Sequence, residues 1–231
     1  MKEIKKMTVG EIVAEDYRAS QVFRAAGLDF CCGGGKTLEE ACRLKKIDSN
    51  KVITEIFLLR KTVSDEQNYN DWKLDFLIDY IIQNHHSFVR RMLPEVVFYA
   101  EKVANRHGQN HPELFEILRV VRQLAPELLE HLEKEENDTF PSIKELVNNI
   151  GNVKSEKAMF NLLEEEHENA GEMMAIIEEL SNGFTPPDGA CASYQLLFKN
   201  LEAFKSDLHK HVHLENNILF PKALSLVNRV N

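Results

Sequence analysis

The segment His131-Leu-Glu-Lys-Glu135 returns 80 residues later as His211-Val-His-Leu-Glu215, and each copy is followed at the same distance by Phe-Pro, at Phe140-Pro141 and Phe220-Pro221. A histidine and a carboxylate four apart share one face of an α-helix, about 6 Å apart along its axis. One such pair is an ordinary helical neighbourhood. Two pairs in matching surroundings require two helices of the same phase, and that restricts the chain to a fold that faces them against each other.

The repeat extends well beyond the pairs. At an offset of 80, Leu118, Val121, Leu124 and Leu128 correspond to Phe198, Leu201, Phe204 and Leu208. This apolar stripe runs straight into His131 and Glu135 in one copy and His211 and Glu215 in the other. A polar residue that continues a core stripe needs a partner there, because burial without one costs several kcal/mol, about 2–7. A second pair of helices superposes at an offset of 81, with Ile82, Val89, Leu93 and Val96 on Leu163, Ala170, Met174 and Ile177. His86 then falls on His167. Choosing His85 would set Glu95 against Ile177 and break the apolar match, so His86 is the inward residue and His85 its flank.

Four histidines and two glutamates therefore converge: His86, His131, Glu135, His167, His211 and Glu215. Two metals could share the glutamates as bridges, with two imidazoles on each. Imidazole and carboxylate without thiolate suit iron or manganese better than a bridged zinc pair. Two carboxylates do not neutralise two trivalent ions, which predicts an oxo or hydroxo bridge and leaves positions open for a small ligand.

The rest of the chain reads as almost all helix, with few Gly or Pro and no sustained alternation of β-branched residues. Residues 1–62 predict a small bundle of short helices. Thr8 caps the first, Gly27 ends the second, Thr37 with Glu40 forms a capping box for the third, and Ser49 or Asn50 caps the fourth. The polar run from Ser64 to Asp71 is the predicted domain boundary. From residue 72 to 231 four long helices are predicted, over 72–106, 111–149, 154–181 and 190–227, with breaks at 106–112, 148–152 and 182–189. Pro126, Pro141 and Pro221 are expected to kink them. Long helices with short connections make an all-α, antiparallel four-helix bundle behind a small N-terminal helical domain.

A formal charge of -9 over 231 residues argues against nucleic acid or an anionic membrane as the main partner. No apolar run approaches the roughly 20 residues of a membrane span, and no signal-peptide stretch follows Met1. These features predict a cytoplasmic protein whose four cysteines are reduced. Cys31 and Cys32 are adjacent, a poor geometry for an ordinary disulfide. They lie in a glycine-rich loop ahead of a helix and beside Lys36, a setting that lowers a thiol pKa. Gly33-Gly-Gly-Lys-Thr37 is not a phosphate-binding loop, since Phe30 stands where its first glycine belongs and no strand precedes it. Cys42 and Cys191 read as structural. His209 and His213, two residues from His211, are expected to face solvent. His107 has no counterpart in the repeat, and His111 precedes Pro112 as a helix cap. Glu166 and Glu172 flank His167, where carboxylates can orient metal-bound imidazoles, but on so acidic a helix they read as a solvated face.

The chain resembles the hemerythrin-like bundles and, within them, the iron–sulfur cluster repair family (RIC, or ScdA- and YtfE-type proteins). The residues that carry the match are His86, His131 with Glu135-Glu136, Glu166-His167 through Glu172, and His211 through Glu215-Asn-Asn to Phe220-Pro221. In the amino-terminal module they are Thr8-Val-Gly-Glu-Ile, Phe23, Leu28-Asp-Phe-Cys-Cys-Gly-Gly34 and Thr37-Leu-Glu-Glu-Ala41. The match spans essentially the full length. It implies two non-haem iron ions per chain on the same six residues, and a role in restoring iron–sulfur clusters damaged by nitric oxide or peroxide. Iron–sulfur client proteins, nitric oxide or oxygen as small ligand, and a homodimer are implied partners. For Cys31 and Cys32 the resemblance implies redox-active thiols or transient ligands for iron or a nitrosyl group. The alternatives are an oxygen or nitric oxide carrier or sensor, which predicts a fifth histidine, and an iron-storage protein, which the ligand order disfavours.

Overall fold

The computed structural model describes residues 3–60, 68–147 and 153–227. Four short helices come first: α1 (Val9–Glu15), α2 (Ala19–Ala25), α3 (Leu38–Lys45) and α4 (Ser49–Arg60). Thr8 caps α1 in a full capping box with Glu11. Thr37 caps α3 through the Glu40 amide alone. These two caps lie side by side in an antiparallel bridge, so α1 and α3 start together. Gly27 ends α2 at φ +65°, a left-handed turn that an L side chain resists. At the start of α4 the capping oxygen is supplied by Asp48, which accepts from the Asn50 amide, rather than by Ser49 or Asn50.

A single turn of 3₁₀ helix at Tyr69–Asp71 leads into the bundle. The remaining part of the polar connector, 64–67, lies outside the described residues, as does the break at 148–152. The bundle's four long elements are each close to the predicted span. The first is α5 (Leu74–Tyr80) continuing through a π-helical turn (Ile81–His86) into α6 (Ser87–His107). The second is α7 (Glu113–Lys134), a π turn (Glu135–Thr139) and α8 (Phe140–Val147). The third is α9 (Val153–Leu180), and the fourth is α10 (Ala192–Leu214), a π turn (Glu215–Leu219) and α11 (Phe220–Val227). In neighbouring pairs, α6 packs on α7 and α10, and α9 packs on α7 and α10.

Two apolar clusters fill the interior. The larger joins α1–α4 to α6, α7, α9 and α10 and contains Phe23, Phe30, Leu38, Leu93, Leu124 and Phe204. The smaller, at the other end, holds Leu77, Ile81, Phe140, Phe160, Leu214 and Phe220. Between Ile81 and Val89, Leu132 and Phe140, and Leu163 and Ala170, each of these three helices leaves one cluster and enters the other. The fourth makes the same change between Val212 and Leu214. The polar residues of the repeat lie in or immediately beside these changes, which together form a seam, His211 and Glu215 flanking the one on α10.

Candidate metal centre

All six side chains selected by the repeat are brought together in the seam, each at most 3% exposed. They form two sets, His86, Glu135, His211 and Glu215, and His131, Glu135, His167 and Glu215. In each set the donor atoms lie within 4.8 Å of one another, and both glutamates belong to both sets. The i, i+4 pairs close as expected, His211 Nε2 to Glu215 Oε1 at 2.9 Å and His131 Nε2 to Glu135 Oε2 at 3.4 Å. The other two imidazoles reach in from α9 and the first π turn. His86 Nε2 is 3.4 Å from Glu135 Oε2, and His167 Nε2 is 3.3 Å from Glu215 Oε2.

The four rings meet through their Nε2 atoms, His86 with His211 at 3.1 Å and His131 with His167 at 2.9 Å. Three of them are held from behind by Nδ1. Glu136 takes His86 (2.7 Å), Glu166 takes His131 (2.7 Å) and Asn216 takes His167 (2.8 Å). A partner behind Nδ1 fixes the ring and turns the Nε2 lone pair inward, as metal-binding imidazoles require. The fourth ring differs: His211 Nδ1 has no hydrogen-bond partner.

The buried imidazoles and carboxylates shift one another's protonation. Burial alone would push the His86 imidazole down, but Glu135 and Glu215 outweigh it and hold it up at about 10. His131 stands at about 10 for the same reason, with Glu135 and Glu166 as its main anions. Burial and the Glu215 charge would raise Glu135, yet His131 and His86 bring it down to about 2. Glu215 is likewise held well below the usual carboxylate range against the cost of burial. Two buried carboxylates facing imidazoles, with Glu135 Oε1 and Oε2 and Glu215 Oε2 lacking hydrogen-bond partners, form a donor set that fits a pair of metal ions.

Several neighbouring residues differ from expectation. Glu166 is not part of a solvated face. Besides His131 it accepts from Lys134 Nζ at 2.8 Å, and the His131 bond pulls its carboxyl down to about 2. Glu172 does face outward. His213 is fully buried and His209 largely so, because the back of α10 is covered by the amino-terminal module, with Phe30 edge-on to both rings. Burial presses the His213 imidazole down to about 3 and His209 to about 4. His85 is buried too, its Nδ1 on Asp207 at 2.9 Å and its ring stacked on His211. His107 lies far along α6, 3.2 Å from the sulfur of Cys191, which is exposed and not a packed structural thiol. Glu136 and Asn216, equivalent at the same offset of 80, belong to the matched motifs, but the sequence alone assigns them no role.

The Cys31-Cys32 loop sits directly behind this centre. Asn217, two residues after Glu215, donates through Nδ2 to the carbonyls of Phe30 (3.2 Å) and Cys31 (3.3 Å). Its Oδ1 fills space kept open by Gly10 and Gly34, where an added Cβ would stand 2.0 and 2.5 Å away. Cys32 Sγ rests 3.4 Å from the backbone carbonyl of His167. The thiol acidity expected from Lys36 and a helix start does not arise at Cys31. Its hydrogen bond with Cys32, burial and Asp29 raise it well above the ordinary range.

An antiparallel bundle with a buried centre of four imidazoles and two carboxylates defines a class of helical metal-binding proteins. Residues 77–223 match the hemerythrin HHE cation-binding domain, and residues 5–59 match ScdA_N, a domain of unknown function. The chain belongs to the hemerythrin HHE family, in the branch that carries this amino-terminal module. Among similar proteins is the iron–sulfur cluster repair protein YtfE of Pectobacterium atrosepticum, 34% identical over 220 residues, covering 95% of this chain and 97% of that one. A probable iron–sulfur cluster repair protein of Haemophilus influenzae is 37% identical over 210 residues, covering 90% and 92%.

Proposed function

We propose that this chain is a di-iron protein that restores iron–sulfur clusters damaged by nitric oxide or oxidants. The observation that carries the reading is the sharing of Glu135 and Glu215 between two complete sets of four donors. His86 and His211 would hold one iron, His131 and His167 the other, and the two glutamates would bridge them, with an oxo or hydroxo group completing the charge balance. Iron bound there would supply exchangeable metal for a damaged cluster and a site for nitric oxide or oxygen. The protein's own contribution is placement. Glu136, Glu166 and Asn216 orient three rings, and the two apolar clusters above and below keep bulk water from the donors. Residues 1–62 and 72–231 act as two modules sharing one core, and client proteins carrying iron–sulfur clusters are the partners. No helix among the described residues is long and apolar enough to cross a membrane.

Reversible oxygen carriage is the weaker reading. Among the described residues no fifth histidine joins either set, and His107 is turned to Cys191. Anaerobic titration of the diferrous protein with nitric oxide, with assay for nitrous oxide and for cluster reconstitution in a damaged client, separates the two. Stable reversible oxygenation with neither product would overturn the repair reading. The ligands are tested apart from activity: wild type binds two irons per chain and Glu135→Ala with Glu215→Ala binds none. Light scattering of the loaded protein tests the homodimer that belongs to this reading.

A further inference from the structure

Rings in unbroken contact join His211 to the surface at Trp72. The His85 ring is stacked on His211, 5.8 Å between centroids and 7° from parallel. Tyr80 meets His85 at 5.6 Å, and Trp72 meets Tyr80 at 5.0 Å. Tyr69 touches both Trp72 (4.8 Å) and Tyr80 (5.6 Å) and thickens the outer half of the chain of rings. His85 is buried, Tyr80 and Trp72 are half-buried, and Phe76, edge-on to Trp72 at 4.7 Å, is 56% exposed. The rings thus run from solvent to an imidazole of the metal centre.

Packing alone does not call for them. Trp72 is the chain's only tryptophan, and Tyr17, Tyr69 and Tyr80, three of its five tyrosines, share this corner. At the offset of 81 the places of Tyr80 and His85 are taken by Asn161 and Glu166, so the matching half of the repeat is built without them. The phenyl rings stacked on His86 and His167 are Phe140 and Phe220, both sealed in the smaller apolar cluster. His211 is the imidazole whose ring neighbour leads outward. The two ends are held in place: Asp207 bonds His85 Nδ1 at 2.9 Å, and Lys222 Nζ donates to the Trp72 carbonyl at 2.7 Å. Lys210 Nζ stands 5.3, 5.0 and 6.0 Å from the ring centroids of Tyr17, Tyr69 and Tyr80. A fixed cation there stabilises an electron in transit and disfavours electron loss from tyrosine, so charge passes these rings without being trapped on them.

We propose that Trp72, Tyr80 and His85 form an electron path between the surface and the iron held by His86 and His211, fed by a reduced flavin. One electron leaves the flavin, which gives its proton to solvent, and one electron enters the ferric ion, which becomes ferrous. The rings mediate tunnelling, their contacting π systems lowering the barrier, and no bond to them forms or breaks. The path rests on the di-iron reading of the centre and adds to it the place where electrons enter.

The test is a flash–quench experiment on the full-length protein. Photo-oxidised ruthenium tris-bipyridine takes one electron from Trp72, and the indole radical is followed by its visible absorption. With one tryptophan in the chain the signal has a single source. In the diferrous protein a ferrous ion should refill Trp72 along the same path, so the radical should decay at least tenfold faster than in the metal-free protein. Tyr80→Leu should remove that acceleration, while Tyr17→Leu, off the path, should keep it. Equal decay with and without iron overturns the proposal. So does a Tyr80→Leu protein that decays like wild type, or a Tyr17→Leu protein that loses the effect. If Tyr80→Leu does not fold, the comparison of diferrous and metal-free wild type still decides. Iron analysis of the same samples separates the two readings: bound iron with unchanged decay overturns the path alone, and a chain that binds no iron overturns both.

Discussion

His211 is the one imidazole of the centre with nothing behind it. Its equivalent, His131, has Glu166, and at the offset of 81 the position of Glu166 is taken by His85, whose Nδ1 is already committed to Asp207. His211 Nδ1 is left unpartnered, and burial presses that imidazole's pKa down. The pseudo-twofold centre is therefore unequal, and the ion on His86 and His211 should be the more exchangeable. Limited treatment of the di-iron protein with a chelator should remove iron in two phases, the first leaving a one-iron form bound by His131 and His167. A single phase would show that the missing partner has no bearing on retention. By the same logic Glu136→Leu, which strips the partner of His86, should weaken the first-lost iron by roughly 10–100-fold, measured by competition with a calibrated chelator. These supporting residues were partly legible in the sequence. Glu136 and Asn216 are related by the same offset as the two bridging-candidate glutamates, but one is an acid and the other an amide, so a search for repeated identities passes over them. Glu166 was hidden by its company, since a carboxylate among so many on α9 carries no signal of its own until the partner helix is placed.

At the scale of elements, the repeated Phe-Pro has a physical explanation that periodicity alone does not supply. Proline lacks an amide proton and its ring collides with the carbonyl four residues back, costing about 3 kcal/mol in a regular helix. In both copies the chain widens instead. The Phe140 amide bonds to the Glu135 carbonyl and the Phe220 amide to the Glu215 carbonyl, each five residues back, so a π turn opens just ahead of Pro141 and Pro221. Both turns begin on a glutamate of the centre, and a third ends on His86. Single-turn π segments of this kind recur at functional sites because they re-aim one side chain without ending the helix. Kinks at these prolines were anticipated; what the structure shows is an inserted residue, which a window tuned to 3.6 residues per turn reads as noise. Replacing Pro141 and Pro221 with Ala lets the turns relax toward α-helix and swing Glu135 and Glu215 out of register. The double variant should keep its helicity and a melting temperature at least equal to that of the metal-free parent, yet retain fewer than two irons per chain after desalting. Full iron retention would mean that the glutamates are positioned by packing, independently of the prolines.

The whole molecule joins two kinds of buried histidine, and their opposite shifts set how the metal-free fold responds to pH. His213, buried between α10 and the amino-terminal module, and His209, half-buried beside it, titrate in the fold at about 3 and 4 but at about 6.5 in the unfolded chain. Between those values the unfolded state binds more protons, so their contribution is present above about pH 6.5 and is lost as pH falls. Glu135, at about 2 in the fold, adds to the loss once pH drops below its ordinary carboxylate value. His86 and His131 do the reverse. At about 10 in the fold, they favour it below pH 6.5 and lose that contribution as pH rises toward 10. The stability of the metal-free protein should therefore peak near pH 6.5 and fall on both sides, with a limiting slope of about 1.4 kcal/mol per pH unit for each group fully out of step. Covering of α10 by another module is what sequence periodicity could not foresee, since it assigned the back of that helix to solvent; the acid limb of the curve is the direct consequence of that cover. The alkaline limb belongs to the metal centre, because bound iron must displace the protons on His86 and His131. Denaturant melts from pH 4 to 10 should show both limbs in the metal-free protein, and only the acid limb between pH 4 and 6.5 after iron is restored. An alkaline limb that survives iron loading would mean that the protons of His86 and His131 are not those the metal replaces.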